Sequence, residues 1–295
     1  QISVSSGYTT IYLQTGYVRN TGLELSLGYG HTWNNNFRWD SNFTLSHNKN
    51  KIKELVRDYV HPETGELINK DRLDVGGLGK ARFILKEGGT LGDLYTQSDL
   101  KRDDNGMVDI DPTGIVAIEN NLPDIKLGSV FPKANLAWSN HFSWKGISLS
   151  ALFTARIGGI VYSATEAAMD QYGVSERSAL ARDNGGVLVN NRTLVDAQNY
   201  YTTIGSESGL PQYYTYNATN VRLQEASIGY LIPRKWLGNV CDIQVSVIGR
   251  NLWMIYNKAP FDPESVATTD NYYQGIDYFM LPSTRNIGFN VKINF

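Results

Sequence analysis

The sequence predicts an all-β fold, a segment of a transmembrane antiparallel β-barrel with long extracellular loops, and three observations predict it. Seven segments alternate apolar residues with small or polar ones. Short and long connections alternate between these segments, and aromatic residues collect at the short connections. A two-residue period places all apolar side chains of a segment on one face, which favours strands over helices.

Each predicted strand carries this period over eight or more residues. In the first, Leu23, Leu25 and Leu27 alternate with glycine, serine and glutamate. In the fifth, the phase is clear only from Ala226 onward, so its start is ambiguous. In the last, apolar residues alternate up to Phe295. The predicted strands lie in residues 21–33, 37–50, 135–144, 147–159, 221–233, 242–253 and 283–295.

The connections alternate in length without exception. Three are short: the asparagines at 34–36, the Lys145–Gly146 turn, and residues 233–240. Three are long and cover residues 51–133, 161–220 and 255–282. Antiparallel strands place all short links at one end, as in outer-membrane barrels with short periplasmic turns and long extracellular loops. Loops of this length are uncommon in compact soluble domains unless they have a function.

The aromatic residues at the short connections are expected to form a girdle at the membrane–water interface. An indole there buries its ring and keeps its N–H in water. An ordinary soluble sheet with aromatic edges would explain any single cluster, but agreement at all the short turns favours the membrane. The predicted girdle consists of Trp33, Phe37, Trp39, Phe142, Trp144, Trp236 and Phe295.

Seven strands do not close a membrane barrel. An unpaired strand edge in lipid costs several kcal/mol per backbone group, so membrane sheets must close on themselves. Single-chain bacterial barrels use even numbers of strands, eight or more. We therefore expect additional strands, supplied either by the same polypeptide or by a partner chain.

Composition excludes several other classes. A net charge of −2 over 295 residues leaves no basic footprint for nucleic acid. The single Cys241 excludes an internal disulfide framework. Without a run of 18 apolar residues, a membrane-spanning helix is not expected. The four histidines are scattered, and Glu207 rather than serine centres the "GSESG" stretch, so we expect no enzyme, no catalytic residues, no metal site and no cofactor.

The first long connection contains a cluster of acidic residues that could suggest calcium. Their spacing does not fit an EF-hand loop, which needs ligands at alternate positions, then a glycine and a distant glutamate. Turns built from Asp, Asn and Gly are the favoured interpretation. The cluster consists of Asp103, Asp104, Asn105, Asp109 and Asp111.

The second long connection is predicted to be partly helical. Ser163 and Glu166 have capping-box spacing, and Gly173 follows as a C-terminal cap. Residues 175–182 suggest a second short helix. A tyrosine-rich stretch follows, whose rings could contact a ligand or a lid protein, or could pack the loop onto its neighbours. The candidate contact residues are Tyr200, Tyr201, Tyr213, Tyr214, Tyr216, Tyr272, Tyr273 and Asp277.

Several stretches resemble the C-terminal part of the SusC/RagA family of TonB-dependent outer-membrane transporters. Their order, spacing and end position match that family, and together they cover essentially the whole chain. The stretches are "GYVRNTGLELSLGY" (16–29), "FPKANLAWSNHFSWKGISLSALFTARIGGIVYS" (131–163), "TNVRLQEASIGYLIP" (219–233), "GRNLWMIYNKAPFDPE" (249–264) and "GIDYFMLPSTRNIGFNVKINF" (275–295).

The resemblance implies a large, 22-stranded barrel with a plug inside, of which residues 1–295 would be the C-terminal portion. It implies a place in the bacterial outer membrane and import of oligosaccharides or oligopeptides. The implied partners are a SusD-like surface lipoprotein as lid, the rest of the barrel and the plug, the TonB complex acting through the plug region, and membrane lipid. We expect the plug and the N-terminal strands to lie outside this chain.

Two alternatives remain open at this stage. A TonB-dependent siderophore or vitamin receptor would have the same fold and a different cargo. A soluble β-sandwich that binds carbohydrate through its tyrosine-rich loops would need a second sheet against the Leu23–Leu25–Leu27 face. The membrane interpretation predicts that detergent is required for solubility.

Overall fold

A computed structural model describes residues 16–33, 35–61, 65–206, 209–268 and 273–295. Its main sheet contains seven antiparallel strands, and neighbours in the sheet are also neighbours among these strands in the sequence. The strands are β1 (Tyr17–Thr32), β2 (Arg38–Glu54), β3 (Ala134–Trp144), β4 (Ile147–Ile157), β5 (Asn220–Ile232), β6 (Asp242–Asn257) and β7 (Asn286–Asn294). The predicted all-β antiparallel fold is confirmed. Among the described residues no second sheet covers the face of Leu23 and Leu25, which are 58% and 40% exposed.

The strand register places the apolar residues of neighbouring strands beside one another. One row crosses six strands through the pairs Leu27–Phe43, Phe43–Trp138, Trp138–Phe153, Phe153–Leu223 and Leu223–Trp253. We call this face of the sheet the outward face. Leu27 is 57% exposed and Phe289 is 81% exposed, so no part of the described chain covers it.

Ser41 and Asn140 interrupt the outward face, and a tryptophan donates a hydrogen bond to each. The Trp39 Nε1–H donates to Asn140 Oδ1 at 3.1 Å, and the Trp138 Nε1–H donates to Ser41 Oγ at 2.9 Å. Because a polar group facing hydrocarbon costs free energy unless it is hydrogen-bonded, these pairs make the interruption tolerable in a lipid-facing surface.

The short connections have the predicted turn geometry. Lys145 and Gly146 both have positive φ, 48° and 87°, as a two-residue type I′ hairpin requires. In the first turn Asn36 has φ of 60° and its N–H donates to the Trp33 carbonyl at 3.0 Å. The third connection contains a 3-10 helix, Arg234–Leu237, which ends at Gly238 in the left-handed region.

The ambiguous phase of the fifth predicted strand has a structural cause. Leu152 pairs with Glu225 and Phe153 with Leu223, so Gln224 is the extra residue of a β-bulge. A bulge shifts the inward–outward alternation of side chains by one residue. Leu223 therefore faces outward, as Ala226 does, although an odd number of positions separates the two residues. Some boundaries also differ from the prediction, because β1 begins at Tyr17, β2 continues to Glu54, and β6 continues to Asn257.

Most of the regular structure in the long connections is not predicted by the sequence. The described part of the first connection holds eight short strands: Val56–Val60, Leu67–Lys70, Arg72–Leu78, Ala81–Lys86, Asp93–Thr96, Asp99–Leu100, Ile118–Glu119 and Ile125–Ser129. The second holds strands Ile160–Ser163, Val187–Val189, Thr193–Val195 and Thr215–Asn217, helices α1 (Ala164–Gln171), α2 (Glu176–Asp183) and α3 (Ala197–Gly205), and the 3-10 helix Pro211–Tyr214. The third holds the strand Ile276–Asp277.

The two predicted helices are confirmed. Ser163 Oγ caps α1 by accepting the Glu166 N–H at 3.0 Å, and Gly173 follows the helix with φ of 68°. Ser175 caps α2 in the same way. Helix α3, which contains Tyr200 and Tyr201, was not predicted. Within the described ranges, the helices are all too short or too polar to cross a membrane.

The three long connections share one hydrophobic core. Phe83 and Leu94 come from the first connection, Ile204 and Tyr214 from the second, and Ile276 from the third, and all are at most 3% exposed. The strand Ile276–Asp277 also pairs in parallel with Ile160–Ser163. We call the described residues of the ranges 55–133, 158–219 and 258–285 the loop body, because they form one unit at one end of the sheet.

A shared core predicts that damage in one connection spreads to the others. Ile276→Ala should leave a cavity and lower the unfolding free energy by about 2–4 kcal/mol. In hydrogen exchange on the detergent-solubilised protein, protection should fall around Phe83 and Ile204 as well as around residue 276. Leu281→Ala, at an 86% exposed position of the same connection, is the matched control and should change little. Loss of protection confined to the third connection would contradict the shared core.

Candidate functional site

The face of the sheet opposite the outward face, here called the inner face, is polar and carries two cavities. The larger, of about 690 Å³, lies next to the loop body. The smaller, of about 490 Å³, lies closer to the short turns. The inward residues around the larger cavity are Glu24, Ser26, Thr44, Ser46, Asn135, Thr154, Arg156 and Glu264. Those around the smaller are Asp40, Asn42, Ser139, His141, Ser150 and Glu225.

Charges of both signs are paired on the inner face. Arg38 donates two hydrogen bonds to Asp40, at 2.6 and 2.7 Å. Arg250 donates to Glu225 at 2.8 Å. His141 pairs in register with Asp40 on this face. The face therefore offers carboxylates, guanidinium groups and hydroxyls to a polar partner without a dominant charge.

Arg156 links the larger cavity to the loop body. Its Nη2 donates to the Val130 carbonyl at 2.8 Å, and the side chain is partly buried. Its Nε is buried and has no hydrogen-bond partner among the described residues. An unpaired buried donor is costly, and this one lies where the larger cavity meets the loop body.

A buried ion pair fixes the third connection to β5. Arg222 is 4% exposed, and its guanidinium donates to both carboxylate oxygens of Asp262, at 3.1 and 2.8 Å. Glu264 lies 3.2 Å from the same guanidinium and also lines the larger cavity. Separating the members of a buried pair leaves their charges uncompensated, which is costly. The contact therefore keeps Asp262 and Glu264, and with them the wall of the larger cavity, close to β5.

A second buried network organises the helices of the loop body around Asp170. The Tyr214 hydroxyl donates to Asp170 Oδ2 at 2.9 Å, and Arg177 Nε lies 2.8 Å from the same oxygen. Ser175 donates to Oδ1 of this carboxylate at 2.5 Å. Burial, together with the Asp170 charge, raises the pKa of Tyr214. Tyr214 therefore stays protonated and serves as a structural donor.

The candidate tyrosines occupy different environments. Tyr214 is fully buried, and Asp277 is buried with the Ser163 hydroxyl donating to it at 2.6 Å. Four others are partly buried, namely Tyr200, Tyr201, Tyr213 and Tyr216. Burial raises the pKa of Tyr200 to about 12. Tyr273 is 42% exposed and is the most accessible of the described candidates, whereas Tyr272 lies outside the described residues.

The aromatic residues predicted for the girdle meet at the short-turn end of the sheet. The ring centroids of Trp33 and Phe37 lie 5.3 Å apart, and those of Trp39 and Phe142 lie 6.0 Å apart in a stacked arrangement. Trp236 packs beside Tyr230 at 6.4 Å. Trp144 is 43% exposed and Phe295 is 87% exposed at the same end. A position at the membrane interface remains a proposal for these residues.

The acidic cluster of the first connection forms two turns of the same design. Asp103 Oδ1 accepts the N–H groups of Asn105 and Met107, and Asp111 Oδ1 accepts those of Thr113 and Ile115. The predicted Asp, Asn and Gly turns are confirmed. No group of three or more metal-ligating side chains occurs in the part of the chain that the structure describes.

The residues that hold the site together carry no mark in the sequence. Asp170 and Arg177 are separated by a turn between two helices, and Arg222 lies on β5 whereas Asp262 lies on the third long connection. The sequence next to each of these four residues looks like that of an exposed segment, so no local pattern predicts that they are buried. Only the alternation in β5 gives a weak indication for Arg222, because it places this residue at an inward position just before the bulge.

The curated relatives of this chain are all named TonB-dependent receptors. TonB-dependent receptor P3 of Formosa agariphila is 25% identical over 97% of this chain and 30% of that receptor. TonB-dependent receptor P26 of the same organism is 24% identical over 100% of this chain and 31% of its own length. The chain thus spans about a third of the length of the curated relatives it matches. No protein-family model matches the chain.

Solved structures with the same fold come from a peptide transporter. The RagAB peptide transporter aligns with a TM-score of 0.67 and 19% identity over the whole of this chain and 31% of that one. The RagAB peptide importer in its closed-closed state aligns with a TM-score of 0.68 and 18% identity, over 100% of this chain and 31% of that one. The predicted resemblance to TonB-dependent receptors of the SusC/RagA type, and with it the outer-membrane location, is confirmed.

Proposed function

We propose that this chain forms part of a TonB-dependent outer-membrane importer of oligosaccharides or oligopeptides. The observation that carries the proposal is the arrangement of the loop body, which packs as one unit beside the larger cavity of a polar inner face. The sheet then provides the wall of the pathway, and the loop body shapes its extracellular entrance. The relatives named TonB-dependent receptors support this role, and they favour a transporter over an enzyme.

The inner face suits a polar, flexible cargo. Its carboxylates and guanidinium groups can pair with charged termini or side chains of a peptide, and its hydroxyls and amides can bind sugar hydroxyls. The structural likeness to a peptide importer supports the peptide alternative. The plug, the remaining strands and the TonB contact would be supplied by parts of the receptor outside this chain.

We further propose that a SusD-like lipoprotein covers the loop body as a lid. The loop body is rigid enough for this role, because the three connections share one core and the Arg222–Asp262 pair fixes it to β5. The partly exposed Tyr273 and the half-buried tyrosines of the second connection are the proposed contacts to the lid or the cargo.

Deletion of the gene tests the transport role. In the organism that carries this receptor, the deletion should abolish uptake of fluorescently labelled oligopeptides or oligosaccharides, and inactivation of TonB should have the same effect. Uptake of ferric chelates and of vitamin B12 is the control and should persist. Selective loss of chelate or vitamin uptake would instead establish the siderophore or vitamin receptor, and unchanged uptake of every cargo would refute the import proposal.

Two tyrosine substitutions separate contact from packing. Tyr273→Ala should lower cargo or lid affinity about tenfold, which corresponds to a lost contact worth about 1.4 kcal/mol. It should lower the unfolding free energy by at most about 1.5 kcal/mol, because the edge-on contact of its ring with Phe83 is also lost. Tyr214→Phe removes a hydroxyl from buried Asp170 and should lower the unfolding free energy by about 1–3 kcal/mol, with affinity unchanged. Isothermal titration and thermal unfolding of the purified receptor measure both. Unchanged affinity in Tyr273→Ala would remove that residue from the site.

A further inference from the structure

The outward face carries a group of cations directly above its apolar band, at the end next to the loop body. Arg19 lies on β1, and Lys49 and Lys51 lie on β2. We call these three residues the basic patch, and Lys53 continues it as the next exposed lysine. All of them are exposed, whereas Asn50 and Ile52 between them are buried against the loop body. The alternation of the strand therefore continues, with lysines replacing leucines on the outward face.

The basic patch lies at the height of lipid headgroups. Lys49 is ten positions after Trp39, which belongs to the aromatic end of the same face. Ten residues extend about 34 Å along a strand, and a tilt of about 40° reduces this to a height of about 26 Å. The apolar band of such barrels is about 25 Å tall. Leu45 and Leu25 lie within this height, and Lys49 lies at its upper boundary.

The register makes the cations repel one another within the protein. Arg19 and Lys51 are directly opposed in the antiparallel ladder, and like charges at opposed positions destabilise a sheet. No ion pair joins the basic patch to any described residue. The carboxylates of β1 and β2 are Glu24, Asp40 and Glu54. Glu24 and Asp40 lie at inward positions, whereas Glu54 is paired with Tyr17 at the loop-body end of the two strands. Within the described residues, none of these three carboxylates forms an ion pair with the basic patch.

We propose that the basic patch binds the phosphate groups of an anionic glycolipid in the outer leaflet of the membrane. Acyl chains would lie along the apolar band of Leu23, Leu25 and Leu27, and the phosphates would lie between Arg19 and Lys51. Basic residues beside a membrane attract anionic headgroups, and one phosphate between two opposed cations removes their repulsion. The inference rests on the membrane location and does not depend on the cargo of the transporter.

The test is lipid binding by the full-length receptor in neutral detergent, followed by native mass spectrometry with lipid A carrying two phosphates. Lys49→Gln combined with Lys51→Gln should weaken binding about tenfold or more. Lys145→Gln combined with Lys235→Gln removes two exposed charges at the opposite end and is the matched control, which should stay within about twofold of the original receptor. Lys49→Arg combined with Lys51→Arg keeps the charge and should retain binding, which separates charge from folding effects.

Two further binding experiments identify whether the bound phosphate belongs to a lipid or is free in solution. Lipid A from which both phosphates have been removed should bind the unmodified receptor as weakly as the intact lipid binds the double glutamine variant. Inorganic phosphate at the same concentration should not compete, because it lacks the acyl chains that contact the apolar band. Equal binding by the glutamine variant and the original receptor would overturn the proposal, as would full displacement by inorganic phosphate.

Discussion

The pairing of backbone hydrogen bonds in hydrocarbon is the constraint on which the rest of this structure depends. An N–H or C=O without a partner in lipid costs several kcal/mol, so each strand that crosses the membrane must be paired on both sides. This requirement fixes the antiparallel ladder of seven strands and sets the register that aligns Leu27 with Phe43 and Trp138. It also explains why polar Ser41 and Asn140 persist on the outward face only with tryptophan N–H groups bonded to them.

The loop body solves a different problem, because it lies outside the hydrocarbon and must be stable by itself. Its three connections are too long to remain irregular, and each contributes apolar residues to the common core. They therefore pool their apolar residues, so that Phe83, Tyr214 and Ile276 meet in one cluster. Buried charges then fix the position of this cluster, since Arg222 on β5 pairs with Asp262 of the third connection. The result is a rigid wall beside the polar inner face.

The sequence predicted the parts of this fold that follow a strict period. Alternation identified all seven strands, the sorting of connections by length placed the loops at one end, and Ser163 and Gly173 located a helix. The start of the fifth predicted strand was ambiguous because the bulge at Gln224 exchanges the inward and outward positions before it. The short strands of the loop body were missed because they are two to seven residues long and too brief for a period to show.

The candidate site was harder to predict, because its residues meet only in three dimensions. Tyr200, Tyr213 and Tyr214 look alike in the sequence, yet Tyr214 is completely buried and donates to Asp170. Arg222 and Asp262 are joined by tertiary contact alone. What the alternation does encode is the identity of the two faces, since a position's parity decides whether it faces outward or inward. That distinction separates the lipid-contacting residues from those available to cargo.

The most direct measurement is the environment of spin labels on the two faces of the sheet, in receptor reconstituted into lipid bilayers after Cys241→Ser. Labels at Leu25, Val245 and Phe289 should be accessible to oxygen and protected from a water-soluble nickel complex. Labels at Ser26, Ser246 and Asn290, one position along, should lack this lipid signature. Aqueous or tightly packed environments at Leu25, Val245 and Phe289 would contradict the assignment of the outward face to lipid.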